Sequence, residues 1–147
     1  METTQLVNEN PFLSIREGRL YLEDVDLVEV AKTHGTPLFV VSENYLRQNI
    51  RAYKSAFEAH WPEGKVKVMP SVKANPNIAI RKIIDSEGAG CDVFGPGELE
   101  CVLRAGVSGK NISVNGSIKN KEIIQKAIAL GATIILDSPK ELDLCIE

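Results

Sequence analysis

From Lys65 to Glu147 the chain switches repeatedly between two hydrophobic periods, and few architectures accommodate that switching. Short apolar runs at Val66–Met69 with Val72, Gly90–Phe94, Asn111–Val114 and Thr133–Leu136 predict strands. Between them lie stretches with helical spacing. Ile80, Ile83 and Ile84 mark a helix ending near Gly88. Gly95-Pro96-Gly97 opens a second, with Leu99, Val102 and Leu103 on its apolar face and Gly106 at its end. Asn120 caps a third, carrying Ile123, Ile124, Ala127 and Ile128 and closed by Gly131. Ser138-Pro139-Lys140-Glu141 reads as a capping box with proline at the first helical position. Alternation of this kind predicts an α/β fold with a parallel sheet and right-handed crossovers. An open doubly wound sheet and a barrel both satisfy it. The three-glycine dinucleotide fingerprint is missing: Gly95-Pro96-Gly97 lacks the third glycine, which disfavours a nucleotide-binding sheet.

The first third reads differently. Apolar residues on either side of Glu17-Gly18 predict a hairpin. Asp24 or Asp26 is placed to cap a short helix with Leu27, Val30 and Ala31 on one face, ended by Gly35. Thr36-Pro37-Leu38-Phe39-Val40-Val41 predicts a buried strand with proline at its start. Ser42 caps the helix that follows, where Leu46, Ile50, Tyr53 and Phe57 share a face expected to pack in the core. Trp61-Pro62-Glu63-Gly64 is a turn.

At 147 residues, 44% apolar and 25% charged, the chain can build a packed core and is about one domain long. A net charge of −3 gives no sign of a nucleic-acid or membrane partner, and no apolar run approaches the length of a membrane span. Met1-Glu2-Thr3-Thr4-Gln5 lacks the basic-then-apolar pattern of a signal peptide. Cys91, Cys101 and Cys145 are odd in number and lack metal-ligand spacing, so reduced thiols in a cytoplasmic protein are expected and no metal site is. Cys91 reads as a small buried residue.

The chemistry centres on Ser71-Val72-Lys73-Ala74-Asn75-Pro76-Asn77. Lys73 falls where a strand hands over to a helix, with Asn75 as a candidate cap and Pro76 at the first helical position. That edge of an α/β sheet is where ligands bind. A lysine there can bond a carbonyl carbon if its surroundings favour the free amine. Most lysines at strand ends are simply solvated. Asp92 stands in an apolar run and needs a partner if buried. Glu98, in a helix's first turn, is accounted for by the free N–H groups and dipole there. Lys119 reads as part of a solvated loop. Pro70 cannot donate to a ladder, so the lysine strand should bend or bulge.

The Ser71–Asn77 string resembles the cofactor-lysine segment of the pyridoxal-phosphate (PLP) decarboxylases of the alanine racemase-like barrel type, the diaminopimelate/ornithine/arginine decarboxylase family. Diaminopimelate decarboxylase is the member it resembles most. Asp92-Val93-Phe94-Gly95-Pro96-Gly97-Glu98-Leu99 is similar to the family's aspartate with a glutamate six residues on. Val114-Asn115-Gly116-Ser117-Ile118-Lys119 and Asp137-Ser138 resemble later family segments. Met69-Pro70-Ser71-Val72 departs from the aromatic residue and alanine usual before the lysine. The resemblance runs from about Val25 onward. It implies a PLP-binding TIM (β/α) barrel whose first four units lie here, residues 36–147, after an N-terminal extension at 1–35.

It further implies that Lys73 is catalytic and holds PLP as an internal aldimine. Asp92 would take part in cofactor binding by charge-balancing the displaced amine, and Glu98 would support the site. The reaction would be decarboxylation of diaminopimelate or a basic amino acid such as ornithine, arginine or lysine. The partners implied are the amino-acid substrate and, for the whole enzyme, a second copy in a homodimer. An amino-acid racemase of the same barrel type is a second reading, and a non-catalytic PLP carrier or regulatory homologue a third. On this resemblance the sequence is the N-terminal part of a longer enzyme and is expected to be inactive alone.

Overall fold

A computed structural model describes residues 10–61, 63–117 and 119–146. The segment Met1–Gln5, read above for a targeting signal, lies outside them, as does Pro62 of the predicted turn. The chain divides into two compact units, Met1–Leu46 and Arg47–Glu147.

In the first unit β1 (Leu13–Arg16), β2 (Arg19–Leu22) and β3 (Val25–Asp26) form an antiparallel sheet in that order. Arg16 pairs with Arg19, so only Glu17 and Gly18 make the turn. Both have positive φ, 51° and 74°, as a two-residue hairpin turn of matching twist requires. Asp26 caps α1 (Leu27–His34): its carboxylate accepts from the N–H groups of Val28 and Glu29, and Gly35 closes the helix. Ser42 caps α2 (Glu43–His60), its Oγ accepting from the Tyr45 N–H at 2.9 Å. The buried strand expected at Thr36–Val41 is not formed. A strand is held by ladder bonds, and among the described residues none is made to this segment; Phe39 is fully exposed.

The second unit contains α3 (Ile78–Ser86), β4 (Cys91–Val93), α4 (Pro96–Arg104), β5 (Ile112–Val114), α5 (Lys121–Leu130), β6 (Thr133–Ile134) and α6 (Pro139–Ile146). The strands pair in parallel in the order β4-β5-β6, with Asp92 opposite Ser113 and Val114 opposite Ile134. Val72, Cys91, Val93, Leu99, Val102, Ile112, Val114, Ile124 and Ala127 form the core between sheet and helices. The helix signals act locally. Asn120 Oδ1 accepts from the Ile123 N–H, and Gly131 closes α5 in the left-handed region. Membrane spans are absent in the sense that no helix of the described residues is long and apolar enough to cross one.

One packing expectation and one capping expectation fail here. Ile50 is buried, but Tyr53 and Phe57 on the same helix face are 65% and 58% exposed. An apolar face is buried only where another element covers it, and among the described residues these rings are left open. The helix after the lysine is capped by Asn77, not Asn75: Asn77 Oδ1 accepts from the Ala79 N–H at 2.9 Å. Asn75 instead accepts from the Asn77 N–H, an Asx-turn that delays the helix past Pro76.

Candidate active site

Parallel pairing brings the C-terminal ends of the strands to one edge, and the candidate residues lie along it. The lysine stretch joins the sheet beside β4. Gly90 N–H donates to the Val68 carbonyl at 2.8 Å, Asp92 N–H to the Pro70 carbonyl at 3.2 Å, and Ser71 forms a parallel bridge with Asp92. A regular ladder would return a bond from the amide of residue 70 to the carbonyl of residue 90. Pro70 has no N–H to give, so the pairing stays an isolated bridge and not a continuous strand. Val72 is fully buried and anchors the segment. The chain then tightens into a short 3₁₀ turn, Val72–Ala74, closed by Asn75 N–H on the Val72 carbonyl. Lys73 is thrown outward by that turn and is exposed.

Its amine rests 4.8 Å from the centroid of the Phe94 ring. Among the described residues no carboxylate lies within ion-pairing distance of it. Asp92 is half-buried and occupied elsewhere: Ser113 Oγ donates to its Oδ1 at 2.5 Å, across the register pair that joins β4 to β5. Glu98 binds backbone, its Oε2 accepting from the Phe94 N–H at 2.9 Å. Phe94 thus has its amide fixed by Glu98 and its ring over Gly116. A Cβ at Gly116 would stand 2.9 Å from ring atom Cδ1.

Farther along the edge, Lys119 overturns its reading as a solvated loop residue. Its side chain is fully buried, with Nζ 3.0 Å from Glu141 Oε2 and 3.5 Å from Asp137 Oδ2, and it donates to the Gly116 carbonyl. A buried ammonium needs such partners, and residues distant in sequence supply them. Glu141 also accepts from the Asp137 N–H at 2.8 Å. That bond first, and then Lys119, hold its carboxyl below the usual range. The expected capping box is therefore shifted by one residue: Ser138 Oγ accepts from the Glu141 N–H, while the Glu141 carboxylate reaches Asp137 and not Ser138. The same device occurs twice, Phe94 with Glu98 and Asp137 with Glu141. Each couples the end of a strand to the first turn of the next helix.

Cys91 is buried in the core, and burial pushes its thiol up, with nearby Arg81 opposing the shift. A thiol so placed is inert packing. Sequence reasoning missed Ser113 and Phe94. For Ser113 the signal was a lone polar residue in the apolar run Ile112-Ser113-Val114, one register step from Asp92. For Phe94 there was no local signal, because a ring after a strand is ordinarily packing.

The family described as pyridoxal-dependent decarboxylase, pyridoxal binding domain, matches residues 24–146. The chain belongs to this family. It is 37% identical over 129 residues to a diaminopimelate decarboxylase of Archaeoglobus fulgidus, covering 88% of this chain and 29% of that protein. The structure of diaminopimelate decarboxylase from M. jannaschii superposes with a TM-score of 0.87 at 34% identity, covering 92% of this chain and 32% of that one. A lysine/ornithine decarboxylase from Vibrio vulnificus, solved with putrescine, superposes with a TM-score of 0.68 at 28% identity, over 80% of this chain and 31% of that one. The chain thus spans about a third of the length of these relatives. The barrel fold and the pyridoxal cofactor expected above are those of the family.

The residues on this edge fit that cofactor. Its aldehyde needs an accessible amine that no carboxylate holds, and Lys73 is such an amine.

Proposed function

We propose that Lys73 carries pyridoxal phosphate covalently and that the whole protein decarboxylates an amino acid, diaminopimelate or a basic amino acid such as lysine, ornithine or arginine. The observation that carries this reading is the Lys73 amine, exposed beyond a buried anchor at the C-terminal edge of a parallel sheet and free of carboxylate partners. The names of the relatives supply diaminopimelate, lysine and ornithine, and the family resemblance supplies arginine.

Pyridoxal phosphate, when bound, supplies an electron sink for the bond that loses carbon dioxide. The chain's own residues do the rest. Lys73 would hold the cofactor through its exposed amine. Asp92, oriented by the Ser113 hydroxyl, supplies a carboxylate to the edge that carries Lys73. Glu98 acts through the Phe94 backbone. The buried Lys119–Glu141 pair fixes the turn after β5 against α6 and so keeps the edge in shape. The working protein, in this proposal, is a cytoplasmic homodimer; its unpaired thiols support the compartment, and the family resemblance supports the dimer.

The test is carbon dioxide release by the full-length protein from diaminopimelate, lysine, ornithine and arginine, with and without added pyridoxal phosphate. Cofactor-dependent release from one of them is expected. Racemisation of an amino acid without release of carbon dioxide overturns the proposal.

A further inference from the structure

The Lys73 amine must be held somewhere whenever the substrate displaces it, and the family resemblance suggested Asp92 for that part. The structure instead shows Asp92 engaged by Ser113 and the amine on an aromatic face. We propose that Phe94 is a positioning residue that parks the Lys73 ammonium at the edge of the sheet, an inference that rests on Lys73 being the cofactor lysine.

Two contacts place this ring, and the amine lies on it. The Glu98 carboxylate holds its backbone amide at 2.9 Å. Gly116, at φ +99°, has no side chain, and that lets the ring lie close: a Cβ there would meet Cδ1 at 2.9 Å and Cε1 at 3.0 Å. The Lys73 amine occupies the ring's face at 4.8 Å from the centroid. The face of a phenyl ring carries negative quadrupolar potential and attracts an ammonium group. A carboxylate would hold the ammonium by full charge and would have to be broken away before the amine could react. A ring holds it weakly and accepts no proton from it. The released lysine is thus kept at the edge and remains available to return to the cofactor.

The test uses the cofactor-free protein and two measurements. In the first, lysines are acetylated with limiting acetic anhydride, and the labelling of Lys73 is read by peptide mass spectrometry against that of Lys82, which is exposed on α3. Removing the ring face in Phe94→Leu should raise the Lys73-to-Lys82 ratio about two- to five-fold, the range a surface cation–π contact supports. Phe94→Tyr, which keeps the ring, should leave the ratio at the wild-type value. The second leaves the Phe94 ring unchanged. Lysines are reductively methylated with a carbon-13 label, and the Lys73 resonance, assigned by its loss in Lys73→Arg, should lie upfield of the other lysines because it sits over a ring. An unshifted Lys73 resonance, or a ratio unchanged in Phe94→Leu, overturns the proposal, as does a tyrosine variant behaving like leucine. Neither measurement involves pyridoxal phosphate. A failure here therefore leaves the assignment of Lys73 standing, and a failure of that assignment is read separately, by cofactor labelling.

Discussion

Gly116→Ala is the substitution whose cost the structure specifies in most detail. Residue 116 has φ +99°, a region costly to a residue with a Cβ, by about 1–3 kcal/mol. The new methyl would stand 2.9 and 3.0 Å from two Phe94 ring atoms and 3.1 Å from the Phe94 carbonyl oxygen. Overpacking of this kind adds about 1–3 kcal/mol. Together the two give a loss of about 2–6 kcal/mol by the same two ranges. Gly131→Ala provides the comparison. It too has positive φ, +67°, but a Cβ there meets nothing within 4 Å, so only the backbone cost of about 1–2 kcal/mol applies. Urea unfolding with linear extrapolation measures both. Gly116→Ala should cost about 1–3 kcal/mol more than Gly131→Ala, and most of that excess should vanish in the Phe94→Ala background. Equal costs at the two glycines, or an excess that persists without the ring, would refute the packing of Phe94 on Gly116.

The remaining predictions concern charge. Arg51 and then Arg47 hold the Glu87 carboxyl at about 2, below its ordinary 4.5. A carboxyl depressed on folding stabilises above its unfolded value and loses that contribution as pH falls. Melting temperature should therefore fall as pH drops from 4.5 toward 2, and Glu87→Gln should flatten that part of the profile. In the full-length protein Asp92→Asn keeps an acceptor for the Ser113 hydroxyl but removes the charge, so it should lower kcat more than the melting temperature. Glu98→Gln keeps an acceptor for the Phe94 N–H and should cost about 0.3–1 kcal/mol of stability with little change in kcat. Steady-state kinetics and thermal melts on both variants decide the pair.

Much of the fold was legible because its signals are local. Asp26, Asn120 and Gly131 are caps whose bonds close within a few residues, and the Glu17-Gly18 turn is set by two backbone conformations. What was not legible depends on distant partners. Thr36–Val41 has strand composition, but a strand exists only when a neighbour supplies the ladder. Tyr53 and Phe57 have the spacing of a core face, and spacing does not say what covers it. Lys119 looked like a loop lysine because the carboxylates that bury it lie after the next strand. In the candidate site, Lys73 and Asp92 stood out by residue type and position. Phe94 and Ser113 did not, because their contacts arise only from parallel register and from the close approach that a missing side chain at Gly116 allows.

The central claim is the identity of the cofactor lysine. The measurement is reduction of the pyridoxal-phosphate-loaded full-length protein with borohydride, followed by mass spectrometry of the labelled peptide. The account predicts a single pyridoxyl label on Lys73 and none after Lys73→Ala. A label on another lysine, with Lys73→Ala still taking up the cofactor covalently, would contradict it.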